Sequence, residues 1–551
     1  MTRPDFRTLA RPDAWASRLK LRVDGRPFSL EGREYVHQVI RDTSDTVIVK
    51  KAAQTAFTVT FLVRTFHWIV ERGWHHLYLL PLKTGAVPFV QSRIDPIIDS
   101  NEYVKSHFKA VDNRLHKQTS NDIKLLIRGT NVESELQETP VDVVVFDEYD
   151  RMVQDFLEDA KHRRDGSLVK KLAYLSTPTV NGHGIDSDDM WWASDQHKWE
   201  IKCPGCGRFQ FLNFDENLRI GDNQFDCQLE CCFCSREFKD AERIHLNGEG
   251  RWSSYNLEGR TRGYQINQFC SPTMTLADVM ESFFLGQLDA KKLKSFYNQS
   301  LGEPYTSPGD KLTPELLDAC RERGYEGGGI PNGPVYVGVD VGHDVLYVEA
   351  DFIDRHNKRR LWQTRRIVDR PGENAFRQLD KWLEGLGSFV CVIDAHPDKR
   401  EAAQLSVKYP NQVFIGFEMD RPQTETMADF QKVKYREPTK VTIDRTMAFD
   451  SVIAQMMDGN YVLPWHAREL GEIMPRRDYN GFYHHMIQMV RVEEEDTKGR
   501  IIARWAKNKN PDHWHHASMF AFISTLRKPQ LRINAGISSA FKEAGSMVGT
   551  A

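Results

Sequence analysis

The chain has 551 residues, 40% hydrophobic and 11% aromatic, which suits roughly two to four packed domains. No run of about 18 uncharged apolar residues occurs and the opening MTRPDFRTLARPDAWASRLK has no apolar secretion core, which argues against membrane and secreted classes. With 74 basic and 77 acidic residues the net charge is -3, so DNA contact must come from local patches rather than an overall field.

In chain order, residues 1–30 are polar and irregular and read as an arm. From about 45 to 180, β-branched runs alternate with helical stretches (TVIVK, TFLVRTFHWIVER, HLYLLPL, VDVVVFDE, LAYLSTPT), which predicts a parallel α/β sheet. Most of the nine cysteines crowd into residues 203–234, the pattern of metal binding in a reducing compartment rather than of a disulfide framework. Residues 305–333, with GYEGGGIPNGP, read as a linker between a domain over 31–304 and another over 334–527. After 528 the chain is small and polar and reads as a flexible tail.

In VDVVVFDEYDRM at 141–152 a buried strand delivers Asp147 and Glu148 to its carboxyl end. Phosphoryl transfer needs one carboxylate for the Mg²⁺ shell and a second to polarise the attacking water, and this pair can divide those roles. A solvated acidic turn is the competing reading.

Upstream stands TVIVKKAAQTAFTVTFLV. Against GxxxxGK[ST], Ala56 replaces the second Gly and Phe57 the Lys, and only Thr58 survives. Lys51 occupies the first Gly position and follows Lys50, so a lysine entering from the front of the loop could reach the same phosphates. An ordinary strand-turn-helix with exposed lysines fits the segment equally. Ser176 and Thr177, ending the strand of LAYLSTPT, could sense the γ-phosphate.

In this order the pieces resemble the large subunit of tailed-bacteriophage terminases, in its lambda-like branch, which also moves the loop Lys forward and replaces the usual one by an aromatic. The likeness runs through KAAQTAFT (51–58), LYLLPLKTGAVPFVQSRIDPII (77–98), SELQETPVDVVVFDEYDRM (134–152) and STPT (176–179). It implies a P-loop (ASCE-type) ATPase domain with Glu148 catalytic. ATP and Mg²⁺ would be held by Lys50, Lys51, Gln54, Thr55, Ala56, Phe57, Thr58, Asp147, Ser176 and Thr177, and adenine by Tyr35 or Gln38. The departure is Ala56, which stiffens the loop.

Cys203 and Cys206 form one CxxC, and Cys231 and Cys234 another, in an insert over about 199–252. Four thiolates suit a tetrahedral structural Zn²⁺, with Cys232 or Cys227 as substitutes in the second knuckle and a redox pair as the competitor.

The second block opens with VYVGVDVGHDVLYVEADFI, where Asp340 lies inside an apolar strand and an unpaired carboxylate would be costly to bury. Asp394 ends the apolar run of FVCVIDAHPD, and Asp512 precedes the helix HWHHASMFAF. First-strand, later-strand and C-terminal-helix acids are the layout of ribonuclease-H-like nucleases, where three carboxylates hold two divalent ions (Mg²⁺ or Mn²⁺) about 4 Å apart. Asp512 also fits a helix N-cap, with His516 or His513 as helper; Asp344, Asp351 and Asp398 read as solvated. DNA-contact candidates are the basic runs 161–171, 432–440 and 500–509, any of which also fits a solvated face.

The resemblance implies that ATP hydrolysis drives double-stranded DNA into a procapsid and that the nuclease cuts concatemeric DNA at the start and end of packaging. Its implied partners are double-stranded DNA, a small terminase subunit, the portal protein and further copies of the chain in a ring of five, with no membrane. The setting is the host cytoplasm, with transient docking on the procapsid and absence from the mature virion. A helicase-like ATPase fused to a DNA-repair or recombination nuclease is the alternative, and a zinc-dependent DNA-binding protein with a dead ATPase site is another.

Overall fold

The computed structural model describes residues 10–527 except 24, 110–113, 132–135, 137, 138, 153, 155, 156, 288, 308, 330–332, 420–425, 432–436, 471–480, 496–500, 508 and 509. The chain forms two units, Met1–Ser307 with Glu493–Ile502, and Pro308–Val492 with Ala503–Ala551.

The first unit is built on a ten-stranded sheet. Six strands run parallel in the order Arg262–Ile266, Thr46–Lys51, Lys171–Ser176, Val143–Asp147, His76–Leu80, Lys124–Gly129. Their runs of Val, Ile and Leu are buried on both faces, as a sheet covered by helices demands. Lys171–Ser176 lies between the strand that ends in Lys51 and the strand that ends in Asp147. All three present their carboxyl ends on one side, where open α/β sheets take ligands.

Residues 1–30 are not wholly an arm. Pro12–Arg18 is a helix, and Trp15 is fully buried in the first core with its Nε1 donating to Glu71 Oε1 at 2.7 Å. An indole that finds both apolar packing and an acceptor outweighs the polar residues around it.

The second unit is built on an eight-stranded mixed sheet in the order Ala428–Phe430, Lys440–Asp444, Val413–Met419, Phe389–Asp394, Val335–Val341, Val345–Ile353, Arg359–Val368, Tyr461–Val462. The helices Ala375–Glu384 and Lys399–Lys408 cover one face and His513–Thr525 packs on the other. Gly338 permits the latter contact, because a Cβ there would strike Ala517 O and Ala521 N. The helix backbone thus rests on the strand that carries Asp340. The expected linker 305–333 is partly core: Leu312 and Leu317 are fully buried in this unit, Leu317 on a helix, Pro314–Ala319, whose Thr313 cap accepts from Leu316 N.

Asp351, expected to be solvated, is fully buried. Arg359 Nε donates to Asp351 Oδ2 at 2.5 Å, and Arg359 Nη2 donates to Glu349 Oε1 and to Ser518 O, both at 2.7 Å. Two acids thus share one base. Burial raises the Glu349 pKa to about 8 and that of Asp351 to about 6. Folded pKa values above the unfolded ones mean that stability is full at low pH and is lost as pH rises through them. Arg359→Leu should cost about 3–5 kcal/mol in urea unfolding of the whole chain, with a deficit that grows from about pH 5 to about pH 8.

Candidate active sites

The first candidate site starts from the loop after Thr46–Lys51. Gln54 (φ 60°) and Ala56 (φ 66°) are both left-handed, so Ala56 takes the conformation that Gly would supply in GxxxxGK[ST]. The helix Phe57–His67 that follows has no side-chain N-cap, which leaves its N-terminal backbone donors to an anion. Thr55 Oγ1 donates to Ala52 O at 2.8 Å, and Ala53 N to Gln299 O at 2.8 Å, bracing the loop. Phe57 is buried against the ring of Tyr35.

Lys51 and the carboxylates meet. Lys51 Nζ lies 2.9 Å from Glu148 Oε1, and Thr58 Oγ1 donates to Asp147 Oδ1 at 3.3 Å. Tyr78 OH donates to Asp147 Oδ2 at 2.7 Å. Burial lowers the Lys51 pKa, but Glu148 and Asp147 more than offset it and leave it raised. Burial raises Asp147 despite Lys51, whereas the pull of Lys51 leaves Glu148 lowered in spite of its burial. Lys50 points elsewhere, to Asp186 Oδ1 at 2.7 Å.

Ser176 is fully buried; its Oγ accepts from Asp150 N at 3.0 Å and donates to Thr177 O at 3.1 Å. The Asp150 carboxylate in turn accepts from Ile185 N at 2.8 Å and Thr179 N at 2.9 Å, and burial raises its pKa to about 7. Asp150, which the sequence reading passed over, therefore ties the carboxylate strand to the segment after Ser176. Tyr35 is fully buried with its OH donating to Thr55 O at 3.3 Å, so it braces the loop instead of lying open to a base.

The four knuckle cysteines Cys203, Cys206, Cys231 and Cys234 have Sγ atoms within 4.8 Å of one another. The Cys203–Cys234 and Cys206–Cys231 separations are 3.8 and 3.7 Å, the edge length of a tetrahedron with metal–sulfur bonds of about 2.3 Å. Gln210 Nε2 donates to Cys231 Sγ at 3.2 Å and Gly205 N to Cys203 Sγ at 3.3 Å, support that suits thiolates. Cys227 Sγ donates to Asn223 O and Cys232 is exposed; both stand outside the four. The donor set fits Zn²⁺.

In the second unit Asp340 and Asp394 sit on adjacent parallel strands near their carboxyl ends. Glu418, on the next strand over, joins them and was missed from sequence, although an acid at the end of the apolar run VFIGF was its signal. Burial, then Glu418 and Asp340, push the Asp394 pKa up to about 7. Basic side chains hold the other acids: His513 Nδ1 lies 2.7 Å from Asp340 Oδ2, His516 Nδ1 2.8 Å from Glu418 Oε1, and Lys507 Nζ 2.8 Å from Asp512 Oδ1. His516 Nε2 also lies 3.4 Å from Asp512 Oδ2. Asp512 precedes the helix without a side-chain cap bond, and its pKa is held far below the usual range, against burial, by His516 and Lys507. Among the described residues the carboxylate oxygens do not come within the mutual reach that the cysteines achieve. Their clustering, with hard oxygen donors, fits divalent cations.

Of the basic runs, 432–436, 500, 508 and 509 lie outside the described residues. In 161–171, Lys161 pairs with Glu158, His162 with Asp165 and Lys171 with Asp45. Among the described residues no helix is long and apolar enough to cross a membrane.

The ATPase-domain model of the phage terminase large subunit gpA matches residues 20–252, and the endonuclease-domain model of the same subunit matches 261–387. The fold is similar to that of the HK97 bacteriophage large terminase, with 12% identity and a TM-score of 0.50 over 95% of this chain and 99% of that one. The large terminase from a thermophilic bacteriophage, at 12% identity, aligns over 91% of this chain and 99% of its own with a TM-score of 0.30. The large terminase nuclease from thermophilic phage G20c, at 13% identity, covers 38% of this chain and 95% of its own with a TM-score of 0.25. No curated protein matches the chain.

The two terminase domain models, an ATPase domain followed by an endonuclease domain in one polypeptide, place the chain in the class of DNA-packaging ATPases that carry their own nuclease. The chain belongs to the phage terminase large subunits of the gpA type.

Because Ala56 already occupies left-handed backbone, Ala56→Gly should preserve the loop and raise stability by about 0.5–1 kcal/mol, read by thermal unfolding. A loss of stability would show that the Ala56 methyl carries packing that outweighs its strain.

Proposed function

We propose that ATP hydrolysis in the first unit drives double-stranded DNA into a procapsid, and that the second unit cuts concatemeric DNA when packaging starts and ends. The observation that carries the reading is the meeting of Lys51 with Glu148 at 2.9 Å, in a chain that also bears the endonuclease domain of the same family. Lys51, with the loop from Gln54 through Thr55, Ala56 and Phe57 to Thr58, binds the ATP phosphates, while Lys50 is held away from them on Asp186. Thr58 and Asp147 hold Mg²⁺, which supplies positive charge against them. Glu148 polarises the attacking water, and Ser176 and Thr177 report the loss of the γ-phosphate.

In the nuclease, Asp340, Asp394 and Asp512 hold Mg²⁺ or Mn²⁺, which supplies charge against the scissile phosphate. Glu418 and His516 keep Asp512 oriented. Zn²⁺ on Cys203, Cys206, Cys231 and Cys234 cross-links the insert. A small terminase subunit supplies site recognition, and a ring of five copies works on the portal in the host cytoplasm, leaving before the virion matures. The extents 31–304 and 334–527 are kept for the two activities, except that residues 493–502 go with the first unit and the parts of the arm and linker described above go with their neighbours.

Glu148→Gln should lower DNA-stimulated ATPase by about a hundredfold or more while ATP still binds, and Lys51→Ala should cost far more turnover than Lys50→Ala. The reverse order would shift the loop register by one. Asp340→Asn should abolish Mn²⁺-dependent cleavage of linear duplex while ATPase survives; undiminished cutting would remove Asp340 from the site. Metal analysis should find one Zn²⁺ per chain, lost in Cys203→Ser.

A further inference from the structure

Register across three neighbouring strands of the second sheet aligns Asp340 with Tyr347, and Tyr347 with Arg366. Directly paired residues of adjacent strands share a face, so Arg366 rises on the face of Asp340, two strand spacings or about 10 Å away. Between them the ring of Tyr347 stacks on His513 at 4.5 Å, and His513 is the residue that holds Asp340.

The arginines of this strand differ from one end to the other. At its start, Arg359 is paired with Asp351 and Glu349, and Arg360 with Asp354 and Glu322. At its end and just beyond, Arg365, Arg366 and Arg370 make no ion pair among the described residues, and Arg366 Nε is buried with no partner. Arg365 Nε donates only to Gln363 Oε1, at 3.2 Å, with its guanidinium over the Trp382 ring. Glu373, whose charge Arg370 feels, is taken up by Lys381. Arg365 pairs across the ladder with Val348, so it lies on the other face of the sheet. There it borders a cavity of about 470 Å³ with Ile367, Arg370 and, from the helix Ala375–Glu384, Gln378 and Trp382. Of these arginines Arg366 is the one that register places on the Asp340 face.

A guanidinium without an ion pair, on the same face as a carboxylate cluster, offers a place for an anion. We propose that Arg366 seats the DNA backbone beside the Asp340 centre, on the phosphate nearest the cut. The proposal rests on the nuclease reading of Asp340. The span of about 10 Å corresponds to a few nucleotide steps at roughly 3.4 Å of axial rise each, so one strand can lie in both places at once. Arginine suits the role because its planar fork meets two phosphate oxygens together. Arg366 is a positioning residue: it aligns the phosphodiester and leaves the chemistry to the carboxylates.

The test uses the full chain and a labelled linear duplex. Steady-state cleavage is measured in Mn²⁺, and binding is measured in EDTA across a salt series. Arg366→Ala should raise KM for DNA about tenfold with kcat near the wild-type value, and the slope of log Kd against log salt should become shallower by about 0.9. Arg366→Lys should restore the slope and most of the KM. Arg365→Ala, on the opposite face, should leave both KM and slope at the wild-type values. Unchanged KM and slope in Arg366→Ala, a fall in kcat at constant KM, or a lysine variant as defective as the alanine one would each overturn the proposal. The nuclease reading fails separately: it falls if Asp340→Asn still cuts, whereas the salt slope in EDTA reports the Arg366 contact either way.

Discussion

Acids gathered at the carboxyl ends of parallel strands repel one another, and the chain answers that repulsion with basic side chains at all but one of them. Two like charges about 4 Å apart cost about 4 kcal/mol at an effective dielectric near 20. Asp147 and Glu148 are answered by Lys51, Asp340 by His513, Glu418 by His516 and Arg445, and Asp512 by Lys507 and His516. Asp394 has no such ion pair among the described residues and takes up a proton more readily instead. The geometry of both candidate sites follows from this compensation, because each base fixes the orientation of the acid it holds.

Much of this was legible in the sequence, for an identifiable reason. A charged residue inside or just after an apolar β-branched run has few structural uses, so Asp147, Glu148, Asp340 and Asp394 stood out. Paired CxxC spacing carried the metal cluster in the same way, and the structure selects Cys231 over Cys232 because only the outer pair of that knuckle turns inward. What escaped depended on partners distant in the chain. Asp351 looks solvated until the hairpin brings back Arg359, and Glu418 acquires meaning only when its strand pairs beside Asp394. Asp150 looks like one more acid of an acidic turn until the Thr179 and Ile185 amides converge on it.

The phosphate loop shows the opposite relation, in which letters depart and shape remains. Ala56 adopts the backbone for which Gly is the usual residue, and the loop still closes between the Ile266 and Gln299 carbonyls. Position in the sheet helps explain that tolerance. The loop strand and the Asp147 strand flank Lys171–Ser176 in parallel register, so the approach of lysine to carboxylate is set by two ladders of hydrogen bonds and not by the loop alone.

Gly338 has a bearing on how the nuclease unit responds to heat. With no Cβ between them, the helix that begins at His513 lies directly on the strand of Asp340, and Arg359 pins the same helix through Ser518 O. Neither hinge nor loop separates these two walls of the carboxylate cluster. Their backbone amides should exchange with solvent only through opening of the whole unit, so warming leaves the cluster intact up to the cooperative transition and then dismantles it in one step.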